Sequence, residues 1–223
     1  MKNKLVGSVI LLIFALLFTF GATNASALSL TTTYAGGNGQ DGNMFSITAL
    51  NAVTITGFDG NLDPPSDNYR IYYKTGTYQG FEANPGAWTL VGTANNVTSA
   101  GANVPTHIPI TVNVAIPAGQ TYSFYITTDG TGSGVRYTDG STEGAVYVQD
   151  SNIQILEGIG VEYPFGNGGN FYTPRVWNGT VYYELGAATA TAVPTLSEWG
   201  MIAFMAMAGL LSVYYLRRRK ATA

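Results

Sequence analysis

Residues able to do chemistry are scarce in this chain. It holds one histidine, His107, and no cysteine. That removes thiolate nucleophiles, thiolate metal sites, disulfides and any multi-histidine metal cluster. A Ser-His-Asp triad would have to run through His107. No Gly-x-Ser-x-Gly elbow occurs, and His107 sits beside Pro109 at the start of an alternating run, so a structural role is expected for it. Twelve acids lie between Leu28 and Val193. Two of them at the right separation would suit glycoside hydrolysis, but spacing along the chain singles out no pair.

Two short motifs concern ions. Asp59-Gly60-Asn61-Leu62-Asp63 places oxygen ligands at alternate positions, as calcium loops do, with Asp67 nearby. The twelfth position from Asp59 is Arg70 rather than Glu, so the EF-hand pattern fails. A polar loop is expected there, with calcium on Asp59, Asn61 and Asp63 as the alternative and no other cofactor. Gly130-Thr131-Gly132-Ser133-Gly134 lacks the Lys-Ser/Thr of a phosphate loop and reads as a hairpin turn. Binding chemistry rests on aromatics. The densest surface-like cluster runs from Gly166 through Asn170 to Phe171 and Tyr172, then Pro174-Arg175-Val176-Trp177. Phe171, Tyr172, Arg175 and Trp177 are the expected ligand surface, suited to stacking on sugars; the alternative is that most aromatics serve the core and cross-strand pairs.

The elements that must position these residues are strands. Residues 28–185 alternate in short runs divided by Gly, Pro, Asn and Asp. Tyr69, Ile71 and Tyr73 fall on one side of a run and Arg70, Tyr72 and Lys74 on the other, the period of a half-buried strand. Ile108–Val114 alternates too, with Pro109 near its start. Thr121–Thr127 does the same with Tyr122, Phe124 and Ile126 on one face. Further strands are expected at Met44–Thr48, Ala52–Phe58, Trp88–Thr93, Val135–Thr138, Ala145–Gln149, Ile153–Leu156 and Val181–Leu185. This spacing predicts an all-β domain, an antiparallel β-sandwich, with a jelly-roll variant or a closed barrel as alternatives. Only Arg70, Lys74, Arg136 and Arg175 offset its twelve acids, a balance of −8 that argues against nucleic acid.

Both ends differ from this body. Lys2 and Lys4, the apolar run Leu5–Phe20 and the small residues Ala25-Ser26-Ala27 predict a signal peptide over 1–27, removed by signal peptidase. Residues 186–192 form a small, uncharged Ala/Thr linker. After it come Val193-Pro194-Thr195-Leu196-Ser197-Glu198-Trp199-Gly200, an apolar stretch over 201–216, and Arg217-Arg218-Arg219-Lys220 within a basic end at 217–223. The stretch is expected to be a short transmembrane helix, with Trp199 and Tyr214-Tyr215 at the lipid boundaries and the four cations as a cytoplasmic stop.

Motif, helix and basic end together resemble the IPTLxxWG-type C-terminal sorting signal of bacterial surface proteins, a relative of the PEP-CTERM signals handled by exosortases. Val193 stands where that family usually has Ile. The resemblance covers about thirty residues and leaves the central domain unassigned. It implies a bacterium with an outer membrane, recognition of Val193, Pro194, Thr195, Leu196, Trp199 and Gly200 by an exosortase-type membrane protease, and passage of the domain to the cell surface or biofilm matrix. The expected protein is therefore an exported, non-enzymatic surface or matrix protein. Its membrane anchor would be transient, and its domain adhesive, structural or in contact with polysaccharide. A surface polysaccharide hydrolase using paired carboxylates is the alternative.

Overall fold

A computed structural model describes residues 27–129, 134–166, 168–186 and 196–221. Residues 1–26 of the expected signal peptide, the linker from residue 187 onward and Val193, Pro194 and Thr195 lie outside the described residues. The chain divides into two compact units, Met1–Gly186 and Ala187–Ala223.

The first unit is two antiparallel sheets sharing one core. The smaller sheet runs β1 (Leu28–Thr31), β15 (Gly179–Leu185), β4 (Val53–Asn61), β7 (Pro105–Ile108), with β8 (Val114–Ile116) also on β4. The larger runs β2 (Asn38–Gln40), β10 (Val135–Asp139), β14 (Phe171–Trp177), β13 (Gly158–Val161), β3 (Gly42–Ala49), β9 (Thr121–Thr128), β5 (Ser66–Thr75), β6 (Thr89–Thr98). There β12 (Ile153–Leu156) pairs with β3 and with β11 (Val146–Gln149). The core between the sheets joins Ile55, Phe58, Val181 and Tyr183 of the small sheet to Phe45, Ile71, Phe124, Ile126 and Trp177 of the large one. This is a β-sandwich, and each inner face comes from period-2 alternation.

Two partner strands are each broken into two pieces. Residues 105–108 and 114–116 both pair with β4, and the expected continuous strand Ile108–Val114 is interrupted between them. The burial alternation survives the break: Ile108, Ile110, Val112, Val114 and Ile116 are all buried. Ile110 N donates to Ile108 O at 2.7 Å, a three-residue turn, and Asn113 sits at φ 49°. In the same way β12 and β13 both pair with β3, at its two ends.

The large sheet is buried on its outer face as well. Met44, Tyr78, Trp88, Tyr125, Ile159, Val161 and Phe165 form a second cluster, with Tyr72 and Phe171 packed against it. Parts of the chain that read as loops, around Tyr78 to Trp88 and around Phe165, cover that face. Lys74, expected on a polar side, is 8 % exposed; its Nζ donates to Thr75 O at 2.9 Å and Thr77 O at 2.5 Å and lies 4.3 Å from the Phe81 ring centre.

The largest correction concerns Trp177. It is 1 % exposed and stacks on Phe45 at 4.6 Å and 10°, with Phe58 edge-on at 5.6 Å. It is core rather than ligand surface. Pro174 hid the strand that carries it, because proline normally marks an edge or a bulge. Here β14 is an interior strand whose pairing with β13 slips between Gly158 and Gly160, and that bulge absorbs the proline. Gly158 and Gly160 are required by close approach: an added Cβ would lie 1.9 Å from Met44 O and 2.4 Å from the Tyr137 hydroxyl.

The described residues of the second unit form a helix, α1 (Leu196–Ala221). Its described side chains from Trp199 to Tyr215 are all exposed. Among the described residues no helix is long and apolar enough to cross a membrane. The structure thus provides the expected helix, with Arg217–Lys220 at its C-terminal end.

Truncating Trp177 to Ala should cost about 3–5 kcal/mol by removing a large ring from a closed aromatic core. Tyr172→Ala, on the 39 % exposed neighbour in the same strand, should stay within about 0.5 kcal/mol. Urea unfolding of both variants checks the contrast; equal destabilisation would mean that Trp177 does not hold the sheets together.

Candidate functional site

Cross-strand register builds a polar row on the outer face of the small sheet. Thr31 of β1 faces Thr180 of β15, Thr180 faces Asp59 of β4, and Asp59 faces His107 of β7. The row is hydrogen-bonded. The Thr31 and Thr180 hydroxyls are 2.8 Å apart, and Tyr34 Oη lies 3.0 Å from the Thr180 hydroxyl. Asp59 Oδ1 lies 2.8 Å from His107 Nδ1, while Asp59 Oδ2 accepts from the Tyr182 hydroxyl at 2.7 Å. The Asp59 carboxylate thus orients the His107 ring and holds the Tyr182 phenol. The hydrogen bond to Asp59, reinforced by burial, pushes Tyr182 up to about 12. Burial first, then the bond to Asp150, does the same for Tyr183. No hydroxyl nucleophile is bonded to His107 among the described residues, so this arrangement fixes a surface imidazole rather than assembling a triad.

The Asp59–Asp63 segment is not the expected polar loop. Asp59 and Asn61 lie in β4, and the three calcium candidates turn to different partners. Asn61 is fully buried; its Oδ1 accepts from Asn103 N at 2.8 Å and its Nδ2 donates to Tyr34 O at 3.3 Å. Asp63 pairs with Arg136 at 2.5 Å. Among the described residues, no group of three or more His, Cys, Asp or Glu side chains is placed to hold a metal ion.

The remaining acids are spread over the fold and used locally. The nearly buried Glu157 accepts from Ser141 N at 2.6 Å, the Ser141 hydroxyl at 2.9 Å and Thr142 N at 2.8 Å, folding the 141–142 turn onto itself. Glu143 accepts from the hydroxyls of Tyr78 at 2.9 Å and Thr173 at 2.6 Å. Asp129 pairs with Arg70 at 2.8 Å, and Asp139 with Arg175 at 3.3 Å. Asp150 Oδ1 accepts from the backbone N of Asn152 and Ile153.

The expected ligand surface is divided. Trp177 is in the core; Phe171 is half-buried against the outer cluster; Arg175 donates to Pro174 O at 2.7 Å and lies 5.7 Å from the Tyr137 ring centre. Tyr172 alone of the four is exposed. A pair that sequence reasoning passed over stands elsewhere. Tyr73 and Tyr122 lie with rings parallel within 2° and centres 6.3 Å apart at the mouth of a cavity of about 260 Å³. The alternation of both strands showed that the two rings share the inner face, but not that the face opens there.

The family match falls at the far end of the chain. Residues 191–219 match the IPTL-CTERM motif. The chain therefore carries a C-terminal sorting signal, the mark of an exported, cell-surface-directed protein and of processing by an exosortase-type enzyme. No curated protein matches the chain. Among solved structures it is similar to the cysteine protease and lectin-like domains of Cwp84, a surface layer associated protein of Clostridium difficile. That match covers 72 % of this chain and 36 % of that one, at 9 % identity and TM-score 0.43. It is also similar to the VP2 subviral particle protein of infectious bursal disease virus, over 74 % of this chain and 40 % of that one, at 14 % identity and TM-score 0.21.

Two tyrosines of β15 give the fold a pH signature. An unfolded tyrosine titrates near 10, and Tyr182 and Tyr183 are held at about 12 in the fold. Above pH ~10 the unfolded chain loses protons that the folded chain keeps, so stability should be level below that pH and fall as pH rises toward 12. Asp59→Asn should bring the Tyr182 titration down toward 10, read as phenolate absorbance in the folded protein. An unchanged alkaline titration in that variant would mean that Asp59 does not hold the phenol.

Proposed function

We propose, from the IPTL-CTERM motif at residues 191–219, that this is an exported surface or extracellular-matrix protein sorted by an exosortase-type transpeptidase, with a non-catalytic β-sandwich as its cargo. The signal peptide over 1–27 would bring the chain to the membrane, and α1 would hold it there until processing. The uncharged run between Glu198 and Arg217 supports a single-pass anchor. So do Trp199 at one end, Tyr214 and Tyr215 at the other, and the cations beyond them. That run of 18 residues is about 27 Å long as a helix, close to a hydrocarbon core of about 30 Å. Pro194 disfavours helix at Val193 and fits the start of one, which would leave an extended peptide at the membrane surface for an enzyme to read.

The single observation that carries the reading is the co-occurrence of motif, uncharged helix and basic end at the C-terminus. For the cargo, an adhesive, structural or carbohydrate-contacting role is supported by how its acids are used: among the described residues of the sandwich, all but Glu82 and Glu184 accept hydrogen bonds or ion pairs. A hydrolase would need two of them facing each other across a cleft.

Replacing Pro194 and Trp199 with Ala should leave the protein in the inner-membrane fraction, with its surface share reduced at least ~10-fold, the scale of losing one sound recognition contact. Fractionation of the producing cells measures this. Surface delivery that survives both changes would refute the sorting reading.

A further inference from the structure

Three irregularities of the sandwich converge on one cavity. The first is the break between β7 and β8, where over residues 109–113 the regular pairing with β4 lapses to the single bond of Val112 N to Thr56 O at 3.2 Å and Asn113 turns the chain at φ 49°. Asparagine tolerates that left-handed conformation, which other side chains rarely adopt. The second is a bulge in the β5–β6 pairing: Ile71 faces Gly92 and Tyr72 faces Leu90, so Val91 is the extra residue and turns toward the core. The third is the start of β9, where Tyr122 faces Thr75 and lies beside Tyr73 on the inner face. Together they open the long edge of the sandwich into a cavity of about 260 Å³, lined by Tyr73, Tyr122, Val91, Val112, Asn113 and Thr75 among others.

The lining has a definite chemistry. The two tyrosine rings are parallel within 2°, and Val91 and Val112 supply an apolar wall. Thr75 and Asn113 stand exposed, and no charged side chain lines the space. The side chains of Tyr73, Tyr122, Asn113 and Thr75 make no hydrogen bond within the described protein, so their donors and acceptors face solvent. An aromatic face is negative at its centre and attracts the weakly positive C–H face of a sugar ring, while hydroxyls and an amide at the rim meet its equatorial oxygens. A cavity of this size takes one ring and not an extended chain. The acidic body, twelve acids against four bases, disfavours anionic sugars.

We infer that this cavity is a binding site for one uncharged hexopyranose unit, as a residue or terminus of a neutral polysaccharide. Asn113 and Thr75 would make the polar contacts and Tyr73 and Tyr122 the stacking face. The inference rests on the reading of the sandwich as surface cargo and gives that cargo a ligand.

The test uses the full-length protein in a non-glycosidic detergent, with the methyl glycosides of glucose, mannose, galactose and N-acetylglucosamine as probes and methyl glucuronide as the charged counterpart. Saturation-transfer NMR should report binding of at least one neutral glycoside with a dissociation constant on the order of 1 mM, as one small ring with few polar anchors implies. The glucuronide should bind at least ~10-fold more weakly. Tyr122→Ala should weaken the neutral glycoside by ~10-fold or more. So should Thr75→Trp, which places bulk at the mouth from an exposed position and leaves the core untouched. Tyr172→Ala should bind as the parent does, with circular dichroism confirming that each variant is folded. Undiminished binding by folded Thr75→Trp protein, or no binding of any neutral glycoside, would overturn the inference. Either result in a protein that still reaches the cell surface would leave the sorting reading standing.

Discussion

The sandwich depends on one aromatic cluster, in which Phe58 of the small sheet packs among Phe45, Phe124 and Trp177 of the large one. Trp177 lies flat on Phe45 and takes the edge of Phe58, and Phe58 in turn meets Phe124 at 5.2 Å. Two of these rings come from the middle of the large sheet, one from its far partner strand β14 and one from β4 of the small sheet. Without a disulfide to restrain the unfolded chain, stability must come from such burial. The position of β14 follows from it. Seating Trp177 on Phe45 sets β14 inside the large sheet, and Gly158 and Gly160 let β13 run close alongside.

The large sheet is also covered on its outer face, over β13, β3, β9 and β5. Tyr72, Tyr125 and Phe165 pack on the side away from the small sheet. Segments that would otherwise be surface connections become a lid, tied down where Trp88 Nε1 donates to Phe81 O at 3.0 Å and Tyr78 donates to Glu143. The small sheet keeps the ordinary arrangement of one apolar and one solvated face. Its solvated face is where the Thr31–Thr180–Asp59–His107 row forms.

How much of this could be read in advance follows the range of the interactions. Tyr69 and Ile71, or Phe124 and Ile126, announced their shared face through local alternation, and the strands that contain them were legible. So was the sorting tail, because motif, helix and cations are neighbours in sequence. Lys74 was misplaced because its local pattern matched a solvated face, while the residues that bury it belong to the covering turn. Trp177 was misread because Pro174 and the glycines before it look like loop composition; only pairing with β10 and β13 makes a strand of them. Asp59 illustrates the same limit at the candidate site. Its neighbours His107 and Tyr182 are brought by register, and an alternate-oxygen pattern in sequence says nothing about which acids the fold will spend on itself.

The tail and the sandwich answer different questions, and the first bears on the second. A chain that carries a C-terminal sorting signal delivers its domain outside the cell, where a cysteine-free, acidic, densely aromatic sandwich must persist on packing alone. The most direct test of this account is the intact mass of the protein recovered from the cell surface. The account predicts a polypeptide that begins at Leu28 and has lost the helix after the 193–200 motif. Surface material that retains the sequence through Ala223 would contradict it.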